Sequence, residues 1–350
     1  MKRTLLFSLA LLVLLASLAP SALAEEKKAD KKGYAYYEYQ FGIKLITYGF
    51  WNLAEKHFQN YLKDPKIPKD LRPKGYLGLA ILYKARGQNR KATPKQREEY
   101  FDKALANIEE FLQKWPNKDT IEYRSAQVEK YGIEIDRVEA KINELEGLSL
   151  KDPERKAKEA AASAKLREAI NELVKIHAAI REERAKYEDS IYEDCEKRGV
   201  DPPDYIVFPD EMNQRWYSIA FVLARAYLLY PRIYVRGTEE FKKALDFSLT
   251  GLEDFVWEHD NDSVYIYGGI FLGRLYADKL AISKDPEERQ KYKNKVDSAF
   301  NDYVFAFGPD VYRQLREQAY NEYAEILLEI GSASDIIEKV WNRYVKDYPN

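Results

Sequence analysis

A chain of 350 residues with 56 Lys and Arg against 58 Asp and Glu has a formal charge of −2, and this mixed-sign balance gives no electrostatic reason to expect nucleic acid as a partner. Its single cysteine, Cys195, excludes an intrachain disulfide, so stability has to come from packing. The 14 Pro and 16 Gly sit mostly between periodic apolar runs, a pattern of helices with punctuation.

The N-terminus, Met1-Lys2-Arg3, leads into an apolar stretch from Leu5 to Ala19 and then Ala22-Leu23-Ala24 before a charged run. This is the three-part layout of a secretory signal peptide, spanning 1–24 with cleavage expected after Ala24. No cysteine follows the stretch, so a lipid anchor is not indicated. The remaining chain has no apolar run of membrane-spanning length, and its expected destination is the periplasm or the exterior.

From residue 42 the text GIKLITYGFWNLAEKHFQNYLKDP sets Gly42 twelve residues before Ala54, with Phe58 one turn further on. Small residues at that interval allow two helices to approach closely. A second run, GYLGLAILYKARG, is followed after a polar stretch by YFDKALANIEEFLQKWPN, in which Ala104, Ile108 and Phe111 recur at helical spacing before Pro116. The C-terminal IIEKVWNRYVKDYPN repeats the device with Ile337, Trp341, Tyr344 and Pro349. Five helical pairs are expected, at 35–65, 72–115, 211–257, 262–307 and 310–349.

Between the second and third pairs the period becomes seven. Ile121, Val128, Ile135 and Ile142 form one stripe and Tyr131, Val138 and Leu145 another. After a break at GLSLKDP, Leu166, Leu173, Ile180 and Tyr187 resume it, interleaved with Ile170, His177, Arg184 and Ile191, up to Gly199. The expectation is a long antiparallel coiled-coil hairpin over 120–198, between N-terminal repeats at 25–119 and C-terminal repeats at 199–350.

Residues 35–68 resemble the tetratricopeptide repeat (TPR), a 34-residue helix-turn-helix unit with small residues where its helices touch. The phrases FQNYLKDP and IEEFLQKWPN are similar to those of two envelope TPR proteins, the TPR component of the outer-membrane β-barrel assembly machine and the periplasmic TPR protein associated with Tol-Pal. The resemblance implies an all-α, TPR-like α-solenoid and an envelope scaffold that binds a protein or peptide in a concave groove. It places Tyr36, Tyr39, Ile43, Leu79, Leu82, Tyr83, Tyr217, Phe221, Arg225, Arg274 and Glu322 on that groove. Spacings in the later units exceed the family's by 12 to 15 residues, which either longer helices or longer loops would supply.

The chain holds three histidines, His57, His177 and His259, none at metal-ligand spacing from another histidine or a cysteine. No phosphate-cradling glycine loop or nucleophile elbow is present, and the expectation is a non-enzyme with no cofactor, no metal and no catalytic residue. Two other readings stay open: an envelope enzyme acting on cell-wall glycan through a helical-toroid pocket, and a structural protein that self-associates through 120–198.

Overall fold

The computed structural model describes residues 31–118, 120–150, 152–203, 206–258, 263–306, 308 and 313–348. The expected signal peptide, His259 and Pro349 lie outside the described residues. Every regular element among them is helical and none is a strand, so the all-α expectation holds. No described helix is long and apolar enough to cross a membrane. The chain divides into two compact units, residues 1–140 and 141–350.

The first unit contains α1 (Lys31–Thr47), α2 (Trp51–Tyr61), α3 (Lys74–Gly87), α4 (Pro94–Lys114) and most of α5 (Ile121–Leu145). Phe58 of α2 is fully buried, and the reason is written in two glycines. A β-carbon on Gly42 of α1 would stand 2.4 Å from the Phe58 ring, and one on Gly78 of α3 would stand 2.2 Å from it. Only a residue without a side chain admits the ring on both sides, so Phe58 locks three helices together. Ala54, Leu82, Phe101, Ala104, Ile108 and Phe111 continue the same core, joined by Ala126 and Ile133 of α5. Helix α4 starts on a reciprocal cap: the Gln96 amide donates to Thr93 Oγ1 at 3.3 Å and the Thr93 amide donates to Gln96 Oε1 at 2.9 Å.

Polar ties align α5 with its neighbours. Lys74 reaches Glu122 at 3.1 Å, Lys84 reaches Glu129 at 2.9 Å, and the Gln88 amide donates to Asp136 at 2.8 Å. Arg137 closes the other side on Glu98 at 2.5 Å and Asp102 at 3.0 Å. The heptad positions Val128, Ile135 and Val138 are buried.

The second unit holds the 46-residue α6 (Pro153–Arg198), α7 (Asp210–Leu229), a short 3-10 turn (Pro231–Ile233), α8 (Glu239–Trp257), α9 (Ser263–Ile282), α10 (Pro286–Ser298) continued by a π-wound segment (Ala299–Val304), and α11 (Arg313–Glu329). It ends in α12 (Ala333–Asp335), a π segment (Ile336–Trp341) and α13 (Asn342–Asp347). Helix α6 packs on α7, and α9 is central, touching α7, α8, α10 and α11. The seam position His177 is buried and stacks on Trp216 with centroids 4.5 Å apart. Arg184 lies over Phe208 and Trp216, at 3.7 and 5.0 Å. Each polar seam residue of α6 therefore meets an aromatic surface of α7 or of the segment before it.

The sequence DPE recurs at two helix starts and works the same way at both. Asp152 accepts from the Glu154 amide at 2.9 Å and Asp285 from the Glu287 amide at 3.1 Å, each with Pro as the first helical residue. The following arginine turns back to the end of the preceding helix: Arg155 donates to the carbonyls of Leu145 and Leu148, both at 2.8 Å, and Arg289 to those of Leu280 and Ser283 at 2.9 and 3.3 Å. Helix α6 stops at Gly199, whose φ of +63° suits a residue without a β-carbon. Its amide donates to Glu196 at 3.1 Å while Val200 donates to Cys195 at 3.0 Å, the paired hydrogen bonds of a Schellman end.

Each of the five segments expected to be a helical pair contains two packed helical elements. The residues beyond the family spacing are mostly helix in two of the three later segments, whereas between Ala220 and Ala244 the connection runs from Tyr230 to Thr238 and holds only the short 3-10 turn. Between Gly269 and Val296 the non-helical connection is only Ser283 to Asp285, and between Gly78 and Ala104 it runs from Gln88 to Thr93. The C-terminal run departs from its expected packing. Ile337 and Trp341 stand exposed and Val340 is buried instead, because the π winding of Ile336–Trp341 places more residues in a turn and rotates the apolar phase.

Candidate partner-binding surfaces

In the first unit the residues assigned to a groove divide into exposed and packed. Tyr36 is 44% exposed and its ring meets Tyr37 edge-on at 5.9 Å. Tyr39 packs on Phe58 and Tyr61, and its hydroxyl pKa is raised by burial first and then by the charges of Glu129 and Tyr61. Ile43 lies against the core, and Leu79 and Leu82 are inside it. Tyr83 is buried on α3 with its hydroxyl donating to Glu55 of α2 at 2.6 Å. Burial and that acceptor push the Tyr83 pKa up to about 12.

Around Tyr83 the side chains form a connected cluster. Arg86 reaches Glu55 at 2.7 Å and donates to Asn52 at 3.0 Å, while its guanidinium lies over the rings of Tyr83 and Tyr100. Burial works to raise the Glu55 pKa, but the Tyr83 hydrogen bond and the Arg86 charge outweigh it and hold the carboxyl below its ordinary value. The cluster ties α2, α3 and α4 together.

Several large apolar side chains left in solvent lie near Tyr36 in sequence, while others, Trp257 at 79% and Val207 at 73% among them, belong to the second unit. Tyr37, Phe41, Tyr48, Phe50 and Leu53 are all more than half exposed, and they belong to α1, the turn after it and the start of α2. Helical spacing places Tyr37 and Phe41 on one stripe, four residues apart, while the TPR register selects 36, 39 and 43. Periodicity therefore held the signal, and the register passed over it. His57 supports this face from beneath: it is half-buried, its ring meets Phe41 at 5.2 Å, and Nε2 donates to the Glu38 carbonyl at 2.7 Å.

In the second unit, Tyr217 and Arg225 are half-buried, and Phe221 packs on Tyr267 at 5.1 Å. Arg274 of α9 is buried and meets three carboxylates of α11, Glu322 at 3.0 Å, Glu325 at 3.6 Å and Glu329 at 3.0 Å. Burial works against its charge, and the Glu322 and Glu329 carboxylates more than restore it. Arg274 and Glu322, both assigned to the groove, are thus partners of one another. Among the described residues no group of three or more His, Cys, Asp or Glu could hold a metal ion. Cys195 is a half-buried free thiol near the end of α6.

No family model, no curated protein and no solved structure matches this chain. The surface itself carries the functional reading. Besides the aromatic face of α1 and α2, a smaller exposed apolar run consists of Ile337, Trp341 and Val345.

Proposed function

We propose that this protein is a non-enzymatic, TPR-like scaffold of the cell envelope that binds a protein or peptide partner. The observation that supports this reading is the exposed face of Tyr36, Tyr37, Phe41, Tyr48, Phe50 and Leu53. Exposed aromatics concentrated in one short stretch of chain favour an interaction role, because a rigid ring releases water on contact at a small entropy cost. The face stands on a rigid base, since Phe58 and the Gly42 and Gly78 contacts fix α1 to α2 and α3. Export rests on the Lys2-Arg3, Leu5-to-Ala19 and Ala22-Leu23-Ala24 pattern.

The test is a crosslinking pull-down from native envelopes with the chain from Glu25 onward, beside a variant carrying Tyr36→Ser, Tyr37→Ser and Phe41→Ser. A specific partner is captured by the first and lost by the variant, while the circular dichroism spectra coincide. Equal capture by both proteins would reject this face as the working surface. Substituting Tyr39 or Tyr83 would not serve, because both hold the core together.

A further inference from the structure

A groove of about 650 Å³ lies in the second unit between α6 and the α7–α8 pair, within the size range of ligand sites. Its rim is one face of α6, with Ala164, Arg167, Asn171 and Val174 three or four residues apart, and Tyr227 and Phe247 form its aromatic floor. We infer that this groove is a binding site for a peptide segment in which an acidic residue is flanked by apolar ones, with Arg167 as the contact for its carboxylate.

Charge accounting in the groove selects that ligand. Lys175 is paired with Glu172 at 2.6 Å, and Glu168 with Lys165 at 3.7 Å. Arg167 has no ion-pair partner among the described residues. Its guanidinium carbon instead lies 5.4 Å from the Phe247 ring centre and 5.8 Å from that of Tyr230. The rings stabilise the cation and limit its rotamers, but they offer no acceptor in the plane of the N–H groups. One uncompensated cation suits one carboxylate, to which a guanidinium donates two parallel hydrogen bonds. A polyphosphate or nucleic acid would bring further negative charge against Glu168 and Glu172, and a wholly neutral ligand would leave the donors unused. The groove is open to solvent, so a segment inside a longer chain can lie along it, its apolar neighbours on Val174 and the Phe247 ring. This site is independent of the aromatic face of α1 and belongs to the other compact unit.

The probe is an N-acetylated, C-terminally amidated peptide with a single Glu flanked by Leu and Phe, titrated calorimetrically into the chain from Glu25 onward beside its Gln-for-Glu twin. The Glu peptide binds saturably, and the twin binds about tenfold more weakly or less well still, the scale of one charge-assisted contact. Arg167→Gln lowers the affinity for the Glu peptide to that of the twin and leaves the twin's own affinity unchanged. The Tyr36, Tyr37 and Phe41 variant keeps the full preference for Glu. Equal binding of the two peptides, an unchanged preference in Arg167→Gln, loss of the preference in the α1 variant, or no binding of the Glu peptide at millimolar concentration each overturns the proposal. None of these results bears on the pull-down, whose variants lie elsewhere.

Discussion

Glu55 shows how one side chain couples local chemistry to the packing of three helices. Its carboxylate receives the Tyr83 hydroxyl and the Arg86 guanidinium, and its pKa in the folded chain is held below the ordinary value of 4.5. A carboxyl with a depressed folded value contributes stability above its unfolded pKa, and that contribution is lost as pH falls through the folded value. The urea midpoint of the wild-type protein is expected to fall as the solution is acidified below pH 4.5, and Glu55→Gln should start lower near neutrality and fall less steeply. Parallel slopes for the two proteins would show that Glu55 does not contribute. Tyr83 behaves in the opposite sense: its raised pKa gives stability that is complete below pH 10 and is lost as pH rises towards about 12. The sequence identified Tyr83 as a candidate but could not reveal Glu55 beneath it, because the two are 28 residues apart and meet only when α2 packs on α3.

The end of α6 at Gly199 was legible, and the starts of α6 and α10, though not read beforehand, are marked just as locally. Pro153 and Pro286 at first helical positions, Asp152 and Asp285 before them and Gly199 after α6 are local signals, since capping needs only residues within one turn. Asp152→Ala is expected to cost about 1 kcal/mol in urea denaturation, the usual worth of an N-cap, with little change in the helicity of the native state. The return of Arg155 to the carbonyls of Leu145 and Leu148 was not visible, because it depends on how tightly the connection between α5 and α6 folds. Arg274 makes a stronger prediction. Its replacement by Ala would leave Glu322 and Glu329 facing each other in a largely buried site, and such a loss typically costs about 3 to 5 kcal/mol. A thermal melt that did not move would show the three carboxylates to be well hydrated.

Across the whole molecule, exposed and buried aromatics should respond to mutation in different ways. Phe58→Ala removes the ring that fills the space between Gly42 and Gly78 and should cost about 3 to 5 kcal/mol, seen as a large fall in the denaturation midpoint. Tyr37→Ser and Phe41→Ser remove exposed rings and should each change stability by about 0.5 kcal/mol or less. By itself the sequence determined the helical class, the small residues at the Gly42 and Gly78 approaches to Phe58 and the end of α6 at Gly199. Those properties follow from periodicity of 3 to 4 residues and from caps that act within a turn. Only the tertiary structure decided which tyrosines face water, that α9 and α10 are joined by no more than Ser283 to Asp285, and that Arg274 and Glu322 are paired with each other. A helical stripe reports that a face is apolar, but whether a neighbour covers that face depends on residues tens of positions away. For that reason Tyr83 is buried and Tyr39 packs half-buried against the core, while Tyr37 and Phe41, aromatic residues of the same helix as Tyr39, stand exposed.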